Sequence, residues 1–120
     1  MRIIIIGDHD PTKLCRILET HGVDYDFTST FDGACQKVFE QGLCYNGIVL
    51  DVHFPESEGM KPTPVGKTFL KLLEEKGMDI PVLLDSFSLN PPKSKLVVDQ
   101  MFPWELYKFE QFLNAIKNKG

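Results

Sequence analysis

The chain has 120 residues, of which 42% are hydrophobic and 25% charged. This composition predicts one water-soluble domain spanning residues 1–120 and excludes a collagen-like, coiled-coil or disordered chain. Its 13 basic and 17 acidic residues give a formal net charge of -4, which disfavours direct binding to nucleic acid or to an anionic membrane. The three cysteines form no C-x-x-C pair, and the first apolar run is too short for an export signal, so a cytoplasmic protein with reduced thiols is expected.

The strand pattern consists mainly of short, continuous apolar runs. These runs cover residues 3–6, 47–50, 80–84 and 96–98, and they are typical of strands that are buried on both faces of a parallel sheet. A weaker strand over residues 25–30 alternates apolar and polar side chains, as a strand at the edge of a sheet does.

Helices are predicted between these strands and after the last one, because apolar residues recur there with the i, i+3, i+4, i+7 spacing. The predicted buried stripes are Leu14, Ile17, Leu18, His21; Phe31, Ala34, Cys35, Val38, Phe39; Phe69, Leu70, Leu73; and Leu106, Phe109, Leu113, Ile116. Residues 52–65 form a long loop, and Pro91 and Pro92 predict that the fourth crossover helix is short or missing. The alternation predicts an α/β fold with an open, doubly wound parallel sheet.

Carboxyl groups follow several of the predicted strands. Asp8 and Asp10 come after the first strand, Asp51 after the third, and Asp85 and Ser86 after the fourth. Ligands of open α/β sheets bind at the carboxyl ends of the strands. Carboxylates that share such a site repel one another, so a hard cation such as Mg²⁺ is expected there, and such a pocket suits a phosphoryl group.

These residues resemble the receiver domain of two-component response regulators, in the CheY-like superfamily. The resemblance extends over nearly the whole chain and is carried by residues 3–8, 31–34, 48–55, 80–86 and 102–103. It implies a flavodoxin-like fold with strand order 2-1-3-4-5. It also implies a signal receiver rather than an enzyme, with at most self-phosphotransfer and autodephosphorylation.

The resemblance also implies a role for particular residues. Asp51 would accept a phosphoryl group from a histidine kinase or a phosphotransfer protein. Asp8, Asp51 and the backbone carbonyl of His53 would bind Mg²⁺, with Asp10 as a further candidate ligand. Ser86 would be the switch hydroxyl that follows the phosphoryl group.

Departures from the family pattern indicate an atypical member. Gly7 stands where an acidic neighbour of Asp8 is usual, Phe102 where a lysine is usual, and the bulky Phe87 follows Ser86. Trp104 and Tyr107 lie off the apolar stripe of the last helix, and we expect them to be anchors for a downstream protein partner.

Two other functions are compatible with the same residues. The first is a pseudo-receiver that binds a partner without phosphorylation. The second, more remote, is a phosphatase, because Asp8, His9 and Asp10 also resemble the D-x-D opening of haloacid-dehalogenase-type enzymes. The simplest interpretations are also kept: Asp10 as a helix cap, Ser86 as a loop hydroxyl, and the rings of His9 and His53 as surface groups.

Overall fold

The computed structural model describes residues 1–86 and 90–119. Its centre is a five-stranded parallel sheet with the order β2-β1-β3-β6-β7. The strands of this sheet are β1 (Arg2–Ile6), β2 (Asp24–Thr28), β3 (Gly47–Leu50), β6 (Val82–Asp85) and β7 (Val97–Met101). Because the short strands β4 (Phe54–Pro55) and β5 (Pro62–Thr63) form a separate ribbon, the predicted order 2-1-3-4-5 of the main sheet and the flavodoxin-like fold are confirmed.

Helices occupy the predicted positions on both sides of the sheet. They are α1 (Thr12–Thr20), α2 (Phe31–Cys35) with a π-helical continuation (Gln36–Glu40), α3 (Val65–Glu75) and α4 (Leu106–Lys119). The side chain of Thr30 caps α2 by accepting a hydrogen bond from the backbone N–H of Gly33 at 3.0 Å. None of the helices in the described part of the chain combines the length and apolar character needed to cross a bilayer.

The strands are buried on both faces, as their continuous apolar runs predict. Along β1, Ile4 and Ile6 pack with α2 and α3, whereas Ile3 and Ile5 pack with α1 and α4. Successive side chains of a strand point to opposite faces, so one run of isoleucines contributes to both halves of the core. Phe69 of α3 is fully buried in the first half.

The connection between β6 and β7 differs from the other crossovers. Its described part, residues 90–96, contains no helix, which agrees with the prediction from Pro91 and Pro92. Phe87 lies outside the described residues. Val98 on β7 is 57% exposed, so this edge of the sheet is open to solvent at that position.

The predicted loop over residues 52–65 contains an antiparallel ribbon, which the prolines did not predict. Phe54 pairs with Thr63, and the Phe54 side chain is completely buried. The backbone N–H of Asp32 donates a hydrogen bond to the carbonyl of Glu56 at 3.0 Å. The ribbon is therefore held against the beginning of α2, beside the carboxyl ends of β1 and β3.

Candidate functional site at the carboxyl edge of the sheet

A small cavity of about 10 Å³ lies at the carboxyl edge of the sheet, where β1, β3 and β6 end. Its polar lining consists of His9, Asp10, Asp51 and Asp85. The pleat of the strands explains why the two carboxyl groups at the ends of β3 and β6 meet. Asp51 lies two residues after Val49, and Asp85 lies two residues after Leu83, so each carboxyl group is on the same face of the sheet as that apolar residue. Val49 and Leu83 both belong to the half of the core formed with α1 and α4.

Asp51 is buried, with 6% of its surface exposed. Its Oδ1 accepts a hydrogen bond from the backbone N–H of Val52 at 2.8 Å. Its Oδ2 has no hydrogen-bond partner among the described residues, although Nε2 of His9 lies 3.0 Å away. The imidazole is thus within ion-pair distance, but its N–H does not point at the oxygen. One oxygen of Asp51 is held by the backbone, and the other is left to the cavity.

Asp51 and Asp85, two of the three carboxyl groups that line the cavity, are harder to ionise than usual. Burial raises the pKa of Asp51, while His9 and the backbone N–H groups of Val52 and His53 oppose that rise. Burial, and secondarily the negative charge of Asp51, raise the pKa of Asp85 to about 6. A positive charge placed between these groups would therefore stabilise both of their ionised forms.

Two glycines allow the backbone to approach Asp51 closely. A Cβ atom at Gly7 would lie 2.8 Å from Cβ of Asp51, and one at Gly66 would lie 2.4 Å from the Asp51 carbonyl oxygen. The backbone N–H of Gly66 donates to the carbonyl of Val52 at 3.0 Å, so α3 begins directly against the segment that follows Asp51. Gly7, which departs from the acidic pair of the resembled family, has a steric reason here: any side chain would collide with Asp51.

The structure separates the two acidic residues that follow β1. The side chain of Asp8 is exposed and does not line the cavity. Oδ1 of Asp10 lines it but accepts hydrogen bonds from the backbone N–H and the hydroxyl of Thr12, at 3.0 and 2.5 Å. Those bonds lower the pKa of Asp10 and tie its side chain to Thr12, the first residue of α1, whereas the N-cap position is Pro11. The phosphatase alternative needs Asp8 and Asp10 in one site, and their side chains lie in different surroundings.

His53 and Ser86 lie near Asp51 along the edge but do not line the cavity. The side chain of His53 is exposed, so the predicted contribution of this residue is through its backbone. Ser86 is buried, with its backbone N–H donating to the carbonyl of Met101 at 3.3 Å and its carbonyl accepting from Nε2 of Gln100 at 3.1 Å. The roles of His53 as a metal ligand and of Ser86 as a switch remain predictions.

The β7 side of the edge is aromatic rather than acidic. Phe102, which stands where the resembled family has a lysine, stacks on Trp104 with ring centroids 5.1 Å apart and planes at 6°. Trp104 and Tyr107 are 70% and 56% exposed, which confirms that they lie off the buried stripe of α4. The ammonium group of Lys108 donates to the carbonyl of Gln100 at 3.0 Å and is thereby held against β7.

Sequence reasoning did not predict that His9 lines the cavity, and it left Asp85 out of the ligand set. The alternation within β6 could have placed Asp85 on the same face as Asp51, because both residues end buried strands. No sequence pattern indicates where the turn after β1 places the ring of His9. Its position depends on the path of residues 7–11 around Asp51.

The donor set fits a divalent cation at Asp51. No group of three or more His, Cys, Asp or Glu side chains is arranged to hold a metal ion in the part of the chain that the structure describes. Mg²⁺ commonly keeps several waters and uses only one or two carboxylates. The buried Oδ2 of Asp51, which lacks a hydrogen bond, is the donor here that such an ion would satisfy.

Comparison with known proteins identifies the fold. No family model matches the sequence, and no curated protein matches it. The structure is similar to a two-component response regulator from Clostridium difficile, with a TM-score of 0.74 and 22% identity over 98% of this chain and 96% of that one. It is also similar to the response regulator TrrA of Thermotoga maritima in complex with Mg²⁺ and BeF, with a TM-score of 0.73 and 16% identity over 96% and 97% of the two chains.

A structure of the Thermotoga maritima histidine kinase ThkA in complex with TrrA matches as well, with a TM-score of 0.69 and 16% identity over 96% of this chain and 97% of that one. The expected resemblance is therefore confirmed at the level of the fold over nearly the whole length of the chain. The chain has the fold of response regulator receiver domains.

Proposed function

We propose that this chain, acting as one receiver-like unit, accepts a phosphoryl group on Asp51 from a histidine kinase or a phosphotransfer protein, with Mg²⁺ bound at Asp51. The observation that carries this proposal is the buried Oδ2 of Asp51, which has no hydrogen-bond partner among the described residues. A desolvated carboxylate with one free oxygen at the carboxyl edge of a parallel sheet is placed to act as a nucleophile.

The surrounding backbone prepares Asp51 for this reaction. The N–H of Val52 holds Oδ1, so the carboxylate presents Oδ2 in one orientation. Oδ2 would form a bond to phosphorus while the bond between phosphorus and the donor's imidazole nitrogen breaks. When bound, a divalent cation would offset the negative charges of Asp51 and of the incoming group. Asp8, Asp10 and the carbonyl of His53 remain the proposed further ligands, and Ser86 the proposed hydroxyl that follows the phosphoryl group.

Two of the structurally similar proteins support this proposal by analogy. One of them was obtained with Mg²⁺ and BeF, and another in complex with a histidine kinase. We place the exchange in the cytoplasm, where the free cysteines Cys15, Cys35 and Cys44 would stay reduced. The exposed rings of Trp104 and Tyr107 are proposed as anchors for a downstream protein.

Two observations favour a second function, that of a pseudo-receiver. The aromatic pair of Phe102 and Trp104 occupies the place of the usual lysine, and Asp8 lies outside the cavity of Asp51. A chain with these features could keep the fold as a binding module and respond to no phosphodonor.

The two functions are separated by treating the protein with acetyl phosphate or beryllofluoride and Mg²⁺. The proposal predicts a mass increase of one phosphoryl group with acetyl phosphate and a change in Trp104 fluorescence with beryllofluoride. Asp51→Asn abolishes both responses, because it removes the nucleophile. Asp79→Asn, which changes an exposed carboxyl group at the opposite edge of the sheet, leaves them unchanged. An unresponsive wild type, or an Asp51→Asn variant that responds equally, contradicts phosphorylation and favours the pseudo-receiver.

A further inference from the structure

We infer that His9 is a metal ligand, and that its Nε2 and the Oδ2 of Asp51 bind the same divalent cation. This inference rests on the proposed binding of a cation at Asp51. It adds a nitrogen ligand that the resemblance does not imply, and it changes which divalent metal ions the site prefers.

The separation of the two donor atoms supports this role. Nε2 of His9 lies 3.0 Å from Oδ2 of Asp51. An octahedral ion with ligand bonds of about 2.1 Å places neighbouring ligand atoms about 3.0 Å apart. The pair therefore already has the spacing of two adjacent ligands of one ion.

The direction of the imidazole supports the same conclusion. The ring is close to Oδ2, yet Oδ2 has no hydrogen bond from it or from any other described residue. A histidine that serves only as the ion-pair partner of a buried carboxylate would direct its N–H at the oxygen. Two ligands of one metal are directed at the metal and not at each other.

The surroundings leave room for one small ion beside this pair. The cavity of about 10 Å³ matches about one water molecule in size. Asp85 lines the same cavity, and its carboxyl group adds negative potential without completing a group of three ligands. The side chain of His9 is 54% exposed, so water can supply the remaining ligands from the open side.

An imidazole ligand changes which metal is bound most tightly. Oxygen ligands alone suit Mg²⁺, whereas imidazole raises the affinity for divalent ions of the first transition row. Gly7 carries no side chain and Asp8 does not line the cavity, so the nitrogen of His9 joins the oxygen donors at this edge. We therefore expect the site to prefer Mn²⁺ over Mg²⁺ more strongly than an all-oxygen site would.

The test measures Mn²⁺ binding to the full chain and the coupling of the bound ion to nitrogen by pulsed electron paramagnetic resonance. We expect wild type to bind Mn²⁺ with an imidazole nitrogen coupling. In His9→Ala and His9→Gln this coupling disappears and the Mn²⁺ affinity falls about tenfold, while the Mg²⁺ affinity from calorimetry changes less than about threefold. His21→Ala, which removes a histidine at the end of α1, keeps the coupling and the affinity.

Several results would overturn the inference. They are Mn²⁺ bound to wild type without nitrogen coupling, no saturable Mn²⁺ binding at all, and a His9→Ala variant that keeps wild-type affinity or binds more tightly while circular dichroism shows it folded. Phosphorylation of Asp51 is measured separately, as the increase in protein mass in the presence of Mg²⁺. A chain that is labelled but lacks the coupling contradicts only the ligand role of His9, whereas a chain with coupling and no label contradicts only the phosphoacceptor role.

Discussion

The two halves of the carboxyl edge of the sheet differ in chemistry. At the ends of β1 and β3, Asp51 is buried beside His9, and two glycines allow close backbone packing around it. At the end of β7, the stacked rings of Phe102 and Trp104 lie on the surface, and the described part of the preceding connection has no helix. The half that would bind a phosphoryl group is closely packed. The half that would respond to it has exposed aromatic side chains and no described helix before β7.

The two tasks of the proposed function thus fall on parts of the edge that differ in their packing. The backbone packs closely around the buried Asp51. A Cβ atom at Gly7 or at Gly66 would lie closer to atoms of Asp51 than van der Waals contact allows. Trp104 is 70% exposed, so a change at that position removes little buried surface. We therefore expect changes at the first half to alter stability and changes at the second half to alter mainly the response.

The largest effect on stability is expected for Gly66→Ala. The added Cβ would lie 2.4 Å from the carbonyl oxygen of Asp51 and 2.8 Å from Cα of Val52, and these backbone atoms cannot move aside cheaply. Helix propensity alone would make alanine more stable by about 1 kcal/mol at this position in α3. We expect the clash to outweigh that gain, so that the free energy of unfolding in urea falls by about 2 kcal/mol.

Lys67→Ala is the control for Gly66→Ala. Lys67 is the exposed neighbour of Gly66 in α3, and its substitution should change the free energy of unfolding by less than about 0.5 kcal/mol. A Gly66→Ala variant as stable as wild type, or more stable, would mean that the backbone around Asp51 is not tightly packed.

A smaller change of opposite sign is expected for Asp85→Asn. Burial and the negative charge of Asp51 raise the pKa of Asp85 to about 6. At pH 7 the ionised carboxylate is therefore less stable in the folded protein than in the unfolded chain, where water solvates it. Removing this charge should raise the free energy of unfolding by about 1 kcal/mol, after the shift is discounted for the partial exposure of the group. Urea unfolding without divalent cations measures this, with Asp79→Asn as the exposed control.

The pH dependence of the Asp85→Asn effect has a definite sign. Above about pH 6 Asp85 is ionised in both states, and the charge destabilises the folded protein. Below the usual pKa of about 3.9 it is neutral in both states, and the cost is gone. The advantage of Asp85→Asn over wild type should therefore shrink as the pH falls from 7 to 4, and an advantage that is constant or grows would refute the assignment.

The smallest effect is expected for Phe102→Lys, which restores the cation of the resembled family on the β7 half of the edge. A positive charge at that end of β7 would attract the phosphoryl mimic, although solvent weakens the attraction at a partly exposed position. We expect the apparent affinity for beryllofluoride to rise about threefold, which equals less than 1 kcal/mol. Phe102→Met is the uncharged control, and equal affinities in the two variants would show that the charge at position 102 does not reach the site.

Much of the fold could be predicted because its signals are local. Residues 3–6 and 47–50 are uninterrupted apolar runs, and only a sheet covered on both sides buries such runs completely. The ribbon that contains Phe54 could not be predicted in this way, since each of its strands has only two residues and is held by packing rather than by a pattern. The π-helical turn after Cys35 likewise has no periodicity that distinguishes it from an α-helix.

The sequence by itself determined the class of fold and the position of Asp51 at the end of a buried strand, because strand periodicity and strand ends are properties of neighbouring residues. Only the tertiary structure decided which groups meet Asp51. It brought His9 and Asp85 to the cavity and left Asp8 in solvent. The physical reason is that the direction of a side chain beyond the end of a strand depends on the path of the following turn, and that path is determined by packing against residues distant in the chain.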